Sequence, residues 1–146
     1  MSINLVNLFK LRIKKSNYQN TNYQLPTTKM LAEQIREYCL EKKGVTEGFP
    51  FNETTLVFKV GGKMFLLMAL ENQPLVFSAK NTEGKNQELR AQYYQISGAY
   101  HMNKTHWNSI VCEGLKPDFL KHLIDVSYQL VFNSLTRKVK EEVQNS

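Results

Sequence analysis

Cysteine is scarce in this chain. Cys39 and Cys112 are the only two among 146 residues, and no C-x-x-C spacing occurs. That excludes a disulfide framework and a short redox motif. Each lies in an apolar stretch, Tyr38-Cys39-Leu40 and Ile110-Val111-Cys112, so both are expected as buried free thiols in a reducing, cytoplasmic setting. No apolar run approaches the roughly 18 residues of a spanning helix, so no membrane partner is expected. The apolar stretch over residues 5–13 is broken by Asn7, Lys10 and Arg12 and has no small-residue cleavage site after it, which a secretory signal needs. The phosphate-cradling glycine loop, G-x-S-x-G and H-E-x-x-H are all missing. A non-enzyme with no catalytic residues and no cofactor is therefore expected.

Acid is missing from the first 29 residues, which hold Lys10, Arg12, Lys14, Lys15 and Lys29. The rest of the chain has 14 bases against 13 acids, so the net charge of +6 sits almost wholly in that segment. The bulk charge is thus no argument for a polyanion partner, and any such case must rest on how charges cluster. Residues 16–24 are polar and Asn/Gln-rich, in the manner of a linker. Residues 1–27 are expected to form a flexible basic extension, 28–136 one domain, and 137–146 a charged tail that frays. The apolar–basic alternation of residues 9–14 fits a short strand or an interfacial helix, and the acid-free composition is also that of a transit peptide. Met30 is an alternative start. With 42% hydrophobic and 22% charged residues, the chain should fold as a single monomeric domain.

Periodicity supplies the elements. Leu31, Ile35, Tyr38 and Cys39 recur at i, i+4, i+7 and i+8, which predicts a helix over 28–43, N-capped by Thr27 or Thr28 and ended at Gly44. Residues 54–60 and 63–70 read as strands joined by Gly61-Gly62, a hairpin signal because both glycines tolerate positive φ. A third strand is expected over 75–79. Asn81 or Thr82 should cap a helix over 83–93, and a strand follows over 107–113. Pro117 and Asp118 open a last helix running to Leu135, with Leu120, Leu123, Ile124, Ser127, Leu130, Val131 and Leu135 as its buried stripe. Ser127 on that stripe is expected to hydrogen-bond to backbone or to Tyr128. The simplest architecture is α+β, a twisted antiparallel sheet with helices on one face.

Several motifs carry a resemblance: Gly48-Phe49-Pro50-Phe51, the run from Leu56 to Phe65, Leu89-Arg90, Ala99-Tyr100-His101-Met102-Asn103-Lys104-Thr105-His106-Trp107-Asn108, and Leu123-Ile124-Asp125-Val126-Ser127-Tyr128. In this order and spacing, over residues 30–135, the chain resembles the MmcQ/YjbR family. The resemblance implies a frataxin/CyaY-like fold flanked by its first and last helices. It also implies a DNA-binding "double wing" of β-hairpins.

Two places could carry that chemistry. Lys59 and Lys63 flank the glycine turn, whose tip could approach phosphates closely and release counterions; equally, they are the solubilising lysines of an exposed hairpin. In the 101–107 turn, Asn103 and Lys104 could meet phosphate or a base edge, His106 a phosphate, and Trp107 could stack a base beside His101. The structural alternative makes Trp107 a core anchor, with His101 and Asn103 satisfying backbone groups. Lys59, Lys63, Lys104, Asn103, His106, Trp107 and His101 are therefore the candidate nucleic-acid contacts. A protein- or ligand-binding sheet face is an alternative. A frataxin-like iron site on Glu33, Glu37, Glu41, Glu47 and Glu53 is another; yet Arg36, Lys42 and Lys43 are interleaved, the pattern of a solvated helix face. His101, His106, His122 and Cys112 are not spaced as a zinc site, and no metal is expected.

Overall fold

The computed structural model describes residues 24–146, with side chains from residue 31 onward; the readings made of residues 1–23 lie outside them. The elements run α1 (Gln24–Leu40), β1 (Val45–Gly48), β2 (Thr55–Val60), β3 (Lys63–Ala69), β4 (Val76–Lys80), α2 (Glu83–Gln92), β5 (Ile96–Gly98), β6 (Trp107–Val111), α3 (Pro117–Asn133) and α4 (Arg137–Gln144). The strands form one antiparallel sheet in the order β1-β2-β3-β4-β6-β5. This is the expected α+β architecture.

One face of the sheet carries the core. Leu56, Phe58 and Val60 of β2, Leu66 and Met68 of β3, Phe77 and Ala79 of β4 and Ile110 of β6 are all buried there. Against them lie Ala32, Ile35 and Cys39 of α1, Leu89 of α2, and Leu120, Leu123, Ile124 and Val131 of α3. Each large side chain so buried contributes about 1.5–3 kcal/mol before entropy is counted, so this helix-covered face holds the fold together. Pro117 occupies the first turn of α3, with Asp118 beside it at the positive end of the dipole.

The β2–β3 ladder shifts register where Phe58 faces Leu66 but Lys59 faces Met64, leaving Phe65 as an extra residue. This bulge lets Phe65 and Leu66 both be buried, and the Phe65 ring meets Tyr128 edge-on at 5.4 Å. Ser127 of α3 reaches into the gap. Its hydroxyl donates to the Phe65 carbonyl at 2.5 Å and accepts from the Lys80 amide at 2.8 Å. The expected backbone partner of Ser127 is thus two strands at once.

Several boundaries differ from expectation. α1 begins at Gln24, so Thr27 and Thr28 lie inside the helix rather than capping it; Pro26 falls in the first turn, where its missing N–H costs nothing. α1 ends at Leu40, and Gly44 takes φ +69 four residues on. Strands β1 and β5 have no separate signal in the sequence. Each is three or four residues long and owes its conformation to pairing with β2 or β6. The charged C-terminal stretch does not fray: it forms α4, capped by Thr136 and anchored by buried Val143.

Candidate functional site

The lysines at the glycine bend do not share a surface. Lys59 pairs with Met64, but Lys63 pairs with Val60, whose side chain is in the core under the helices. Directly opposed residues project to the same face, so Lys59 and Lys63 point to opposite faces. The tip itself is backed by the C-terminal helix pair: a Cβ on Gly61 would come within 2.7 Å of Leu135 and Val139. Lys104 is elsewhere again. Its stem lies against Gly98, on the side of the sheet to which Asn108 points, and its carbonyl accepts from the Arg90 guanidinium. A pair of lysine-tipped wings sharing Lys104 is therefore not what this geometry builds.

Segment 99–106 is a pinned turn. The Asn103 side-chain oxygen accepts from the Thr105 amide at 2.9 Å, and its carbonyl accepts from the amides of His106 and Trp107. Trp107 is 8% exposed, opposite Lys80, on the face away from Asn108 and Ile110. Buried in that position, its ring is not presented for stacking. His101 and His106 are exposed. The His106 carbonyl accepts from the amide of buried Asn81 at 3.0 Å, and the Asn81 carbonyl accepts from Asn86 Nδ2. Asn86 also donates to the Thr105 carbonyl at 3.0 Å and accepts at its own carbonyl from Asn108 Nδ2, while Asn108 Oδ1 accepts from Arg90 Nε at 2.7 Å. Sequence reasoning named Arg90 and Asn108 only as part of a resemblance. Here they, with Asn81 and Asn86, fix the turn.

The face on which no described helix packs, called helix-free below, has a different chemistry. Strand alternation and register give it three rows. One end of the face carries Thr46, Lys59 and Met64 in register across β1–β3 and Lys80 and Trp107 in register across β4 and β6, the two sets meeting at the Phe65 bulge; the next row runs Gly48, Val57, Leu67, Ser78, Ser109 and Ser97; the third Thr55, Ala69, Val76 and Val111. No acid stands in any of them. Lys59 and Lys80 are about 10 Å apart across β3 by strand spacing, and neither has an ion-pair partner among the described residues. Glu47 borders the recess of about 320 Å³ that Lys59 also lines, but its carboxylate is clasped by Arg36 at 2.8 and 2.5 Å.

A groove of about 540 Å³ crosses this face between the loop at Phe51 and the turn at Tyr100. Met64, Leu67 and Val76 form its floor, with Ser78 and Ser109 side by side in register. Phe51 is 63% exposed and Tyr100 is 79% exposed. His101 packs edge-on against the Tyr100 ring at 4.3 Å, and Asn52 braces the other rim by accepting from the amides of Thr54 and Thr55. Of the sequence candidates, only His101 lines this groove, and Lys59 borders it through Met64. Lys80 was missed because a lysine ending a strand carries no signal until the strand's neighbours are known.

The carboxylates considered for iron do not converge: no group of three or more His, Cys, Asp or Glu residues assembles among the described residues. On the helical side, Asp125 accepts from Tyr38 at 2.7 and 2.9 Å and pairs with Lys42, whose ammonium also lies over the Tyr38 ring at 4.6 Å. Burial pushes Tyr38 up to about 12, aided by its bond to Asp125. Burial also acts to raise Asp125, but the bonds from Lys42 and Tyr38 outweigh it and hold the carboxyl below its ordinary value. This cluster ties α1 to α3.

A six-stranded antiparallel sheet with its described helices on one face and a groove on the other defines an α+β class of small domain. The YjbR family model matches residues 40–130, and the chain belongs to the YjbR family. "Uncharacterized protein YjbR" of Escherichia coli (strain K12) is 28% identical over 114 residues, 77% of this chain and 96% of that one. "Uncharacterized protein YbdF" of Escherichia coli O157:H7 is 33% identical over 116 residues, 78% of this chain and 94% of that one. The crystal structure of Deinococcus radiodurans protein DR2400 superposes with a TM-score of 0.73 at 32% identity, over 77% of this chain and 87% of that one. A Pseudomonas syringae protein shares the fold, with a TM-score of 0.59 at 24% identity over 68% of this chain and 97% of that one.

Proposed function

We propose that this YjbR-family chain is a non-enzymatic nucleic-acid-binding domain that contacts its ligand through the helix-free face of the sheet, not through its hairpin tips. The observation that carries the reading is the make-up of that face. The residues its strands turn to this side include Lys59 and Lys80 and no acid, Glu47 of β1 being directed to the other face and held by Arg36, and two solvent-facing rings, Phe51 and Tyr100, flank a groove beside them. Cations meet phosphates and release counterions, while exposed rings offer stacking surfaces that any base can use. Binding without catalysis fits the same residues. His101, the imidazole lining the groove, packs against Tyr100, and no hydrogen bond among the described residues joins it to Ser78 or Ser109 as an activated nucleophile needs.

Fluorescence anisotropy with a labelled oligonucleotide over a salt series tests this on the full chain. Lys59→Glu and Lys80→Glu should each weaken binding about tenfold or more and lower the salt slope by about one. Lys63→Glu and Lys104→Glu, on other surfaces, should change it about twofold or less. A variant with Lys10, Arg12, Lys14 and Lys15 replaced by alanine completes the set. If that variant alone loses binding, the N-terminal bases are the contact and the sheet face is not.

A further inference from the structure

We infer that the groove on the helix-free face receives an unstacked base of a single-stranded nucleic acid, over the hydroxyls of Ser78 and Ser109 and against the rings of Phe51 or Tyr100 at its rim. The inference rests on the reading above and adds to it which form of nucleic acid is bound.

Three large apolar side chains are exposed among the described residues, Phe51, Tyr94 and Tyr100. Two of them stand at the rim of this one groove. Exposed rings lose contact with water when a planar ligand enters, and a flat π-face is what all four bases share. The backbone that carries each ring is pinned. Phe51 follows Pro50 and precedes Asn52, whose side chain fixes the loop through the amides of Thr54 and Thr55. Tyr100 follows Ala99, whose amide donates to the Trp107 carbonyl at 3.1 Å, and the next turn closes with Met102 donating to Ala99. A pinned backbone leaves less to order when a ligand binds.

The groove is large enough to admit a base, and its lining suits one. About 540 Å³ lies within the range of small-ligand clefts. Its floor is apolar except for Ser78 and Ser109, which face each other across β4 and β6 and whose hydroxyls have no side-chain hydrogen bond among the described residues. Two free hydroxyls can each donate or accept, so they can meet either kind of group on a base edge. Charge places the backbone: Lys59 borders the groove beside Met64, and Lys80 beside Ser78. A base inside a duplex is already stacked and paired and cannot reach this floor without leaving its stack. The site therefore favours single strands.

The test uses the full chain and anisotropy with three probes of equal length: oligothymidylate, the same sugar-phosphate strand carrying abasic residues, and a blunt duplex. Wild-type protein should bind oligothymidylate about tenfold or more tighter than either other probe. Tyr100→Ala and Phe51→Ala should each weaken oligothymidylate binding about tenfold and leave abasic binding unchanged. Both side chains are mostly exposed, so thermal melts of these variants should match wild type. Ser78→Val, filling the floor, should reduce the preference for bases in the same way. Comparing oligouridylate with oligodeoxyuridylate, which differ only in the 2′-hydroxyl, identifies the preferred sugar. Tighter binding of the single-stranded oligomers than of both the abasic strand and the duplex supports the inference, and duplex binding as tight as that of oligothymidylate overturns it. Equal, salt-sensitive binding of oligothymidylate and abasic strand overturns it while leaving the lysine-face reading intact. Binding of none of the probes at low salt overturns both.

Discussion

Burial makes Cys39 and Cys112 inert. Burial pushes the Cys112 thiol up to about 12, and Cys39 is raised further, against the opposing pull of Lys42. Neither offers thiolate at neutral pH. In thiol titration at pH 8 the native protein should react with neither, and both should react once urea unfolds the chain. This much was legible, because an isolated cysteine within an apolar run has few other places to go. The asparagines were not. Asn81, Asn86 and Asn108 are ordinary letters in a sequence, and their value arises from being buried together beside Arg90. Asn108→Ala removes the acceptor of a charged donor, so it should cost about 1.5–3 kcal/mol in urea unfolding. The same change should release the 99–106 turn and loosen Tyr100, visible as broadened amide resonances there.

Elements with their own periodicity were readable; elements made by their neighbours were not. α3, β2, β3 and β6 carry apolar spacing and turn residues of their own, and all appear within a few residues of expectation. β1 and β5 exist through pairing, and α4 through a contact invisible from its charged sequence: Val143 fills the space above Gly44, while Leu135 and Val139 close on Gly61. That contact also removed the hairpin tip from the candidate site. Gly61 and Gly62 both need positive φ, at +57 and +82, but only Gly61 has neighbours where a Cβ would go. Gly62→Ala should cost about 1–2 kcal/mol from backbone strain alone. Gly61→Ala should cost about 1–3 kcal/mol more through overpacking, measured as a lower urea midpoint with an unchanged slope. Val143→Asp should free α4, seen as loss of amide protection over residues 137–144 with the sheet still protected.

For the whole molecule, the link between α1 and α3 contributes to stability at both ends of the pH range, alongside the buried thiols at the alkaline end. Asp125 is held below its ordinary value when folded, so its contribution is present above the unfolded carboxyl range and is lost as pH falls through the folded value. Tyr38 is raised from 10.0 to about 12, so its contribution is present below about pH 10 and lost as pH rises from there to about 12. Melting temperature against pH should show a plateau falling at both ends. Asp125→Asn should flatten the acid fall and shift the alkaline one, because the same carboxylate holds Tyr38. The global architecture, a sheet with helices on one side, followed from which stripes had to be buried. The candidate surface did not follow, because which lysines share a face depends on strand register. A bulge at Phe65 and the order of six strands decide that register, and neither is written in any local window of residues.

Ser127 turns this architecture into its own gauge. Its hydroxyl stands in for a rung of the ladder between β3 and β4, so the sheet is partly stitched by a helix. The amide hydrogen of Lys80 then exchanges with solvent only when that helix lifts, and its lifetime clocks the departure of α3 from outside the protein. Since Lys80 also faces the groove side, one proton reports on both halves of the molecule: how firmly the back is closed, and how rigidly the front is presented.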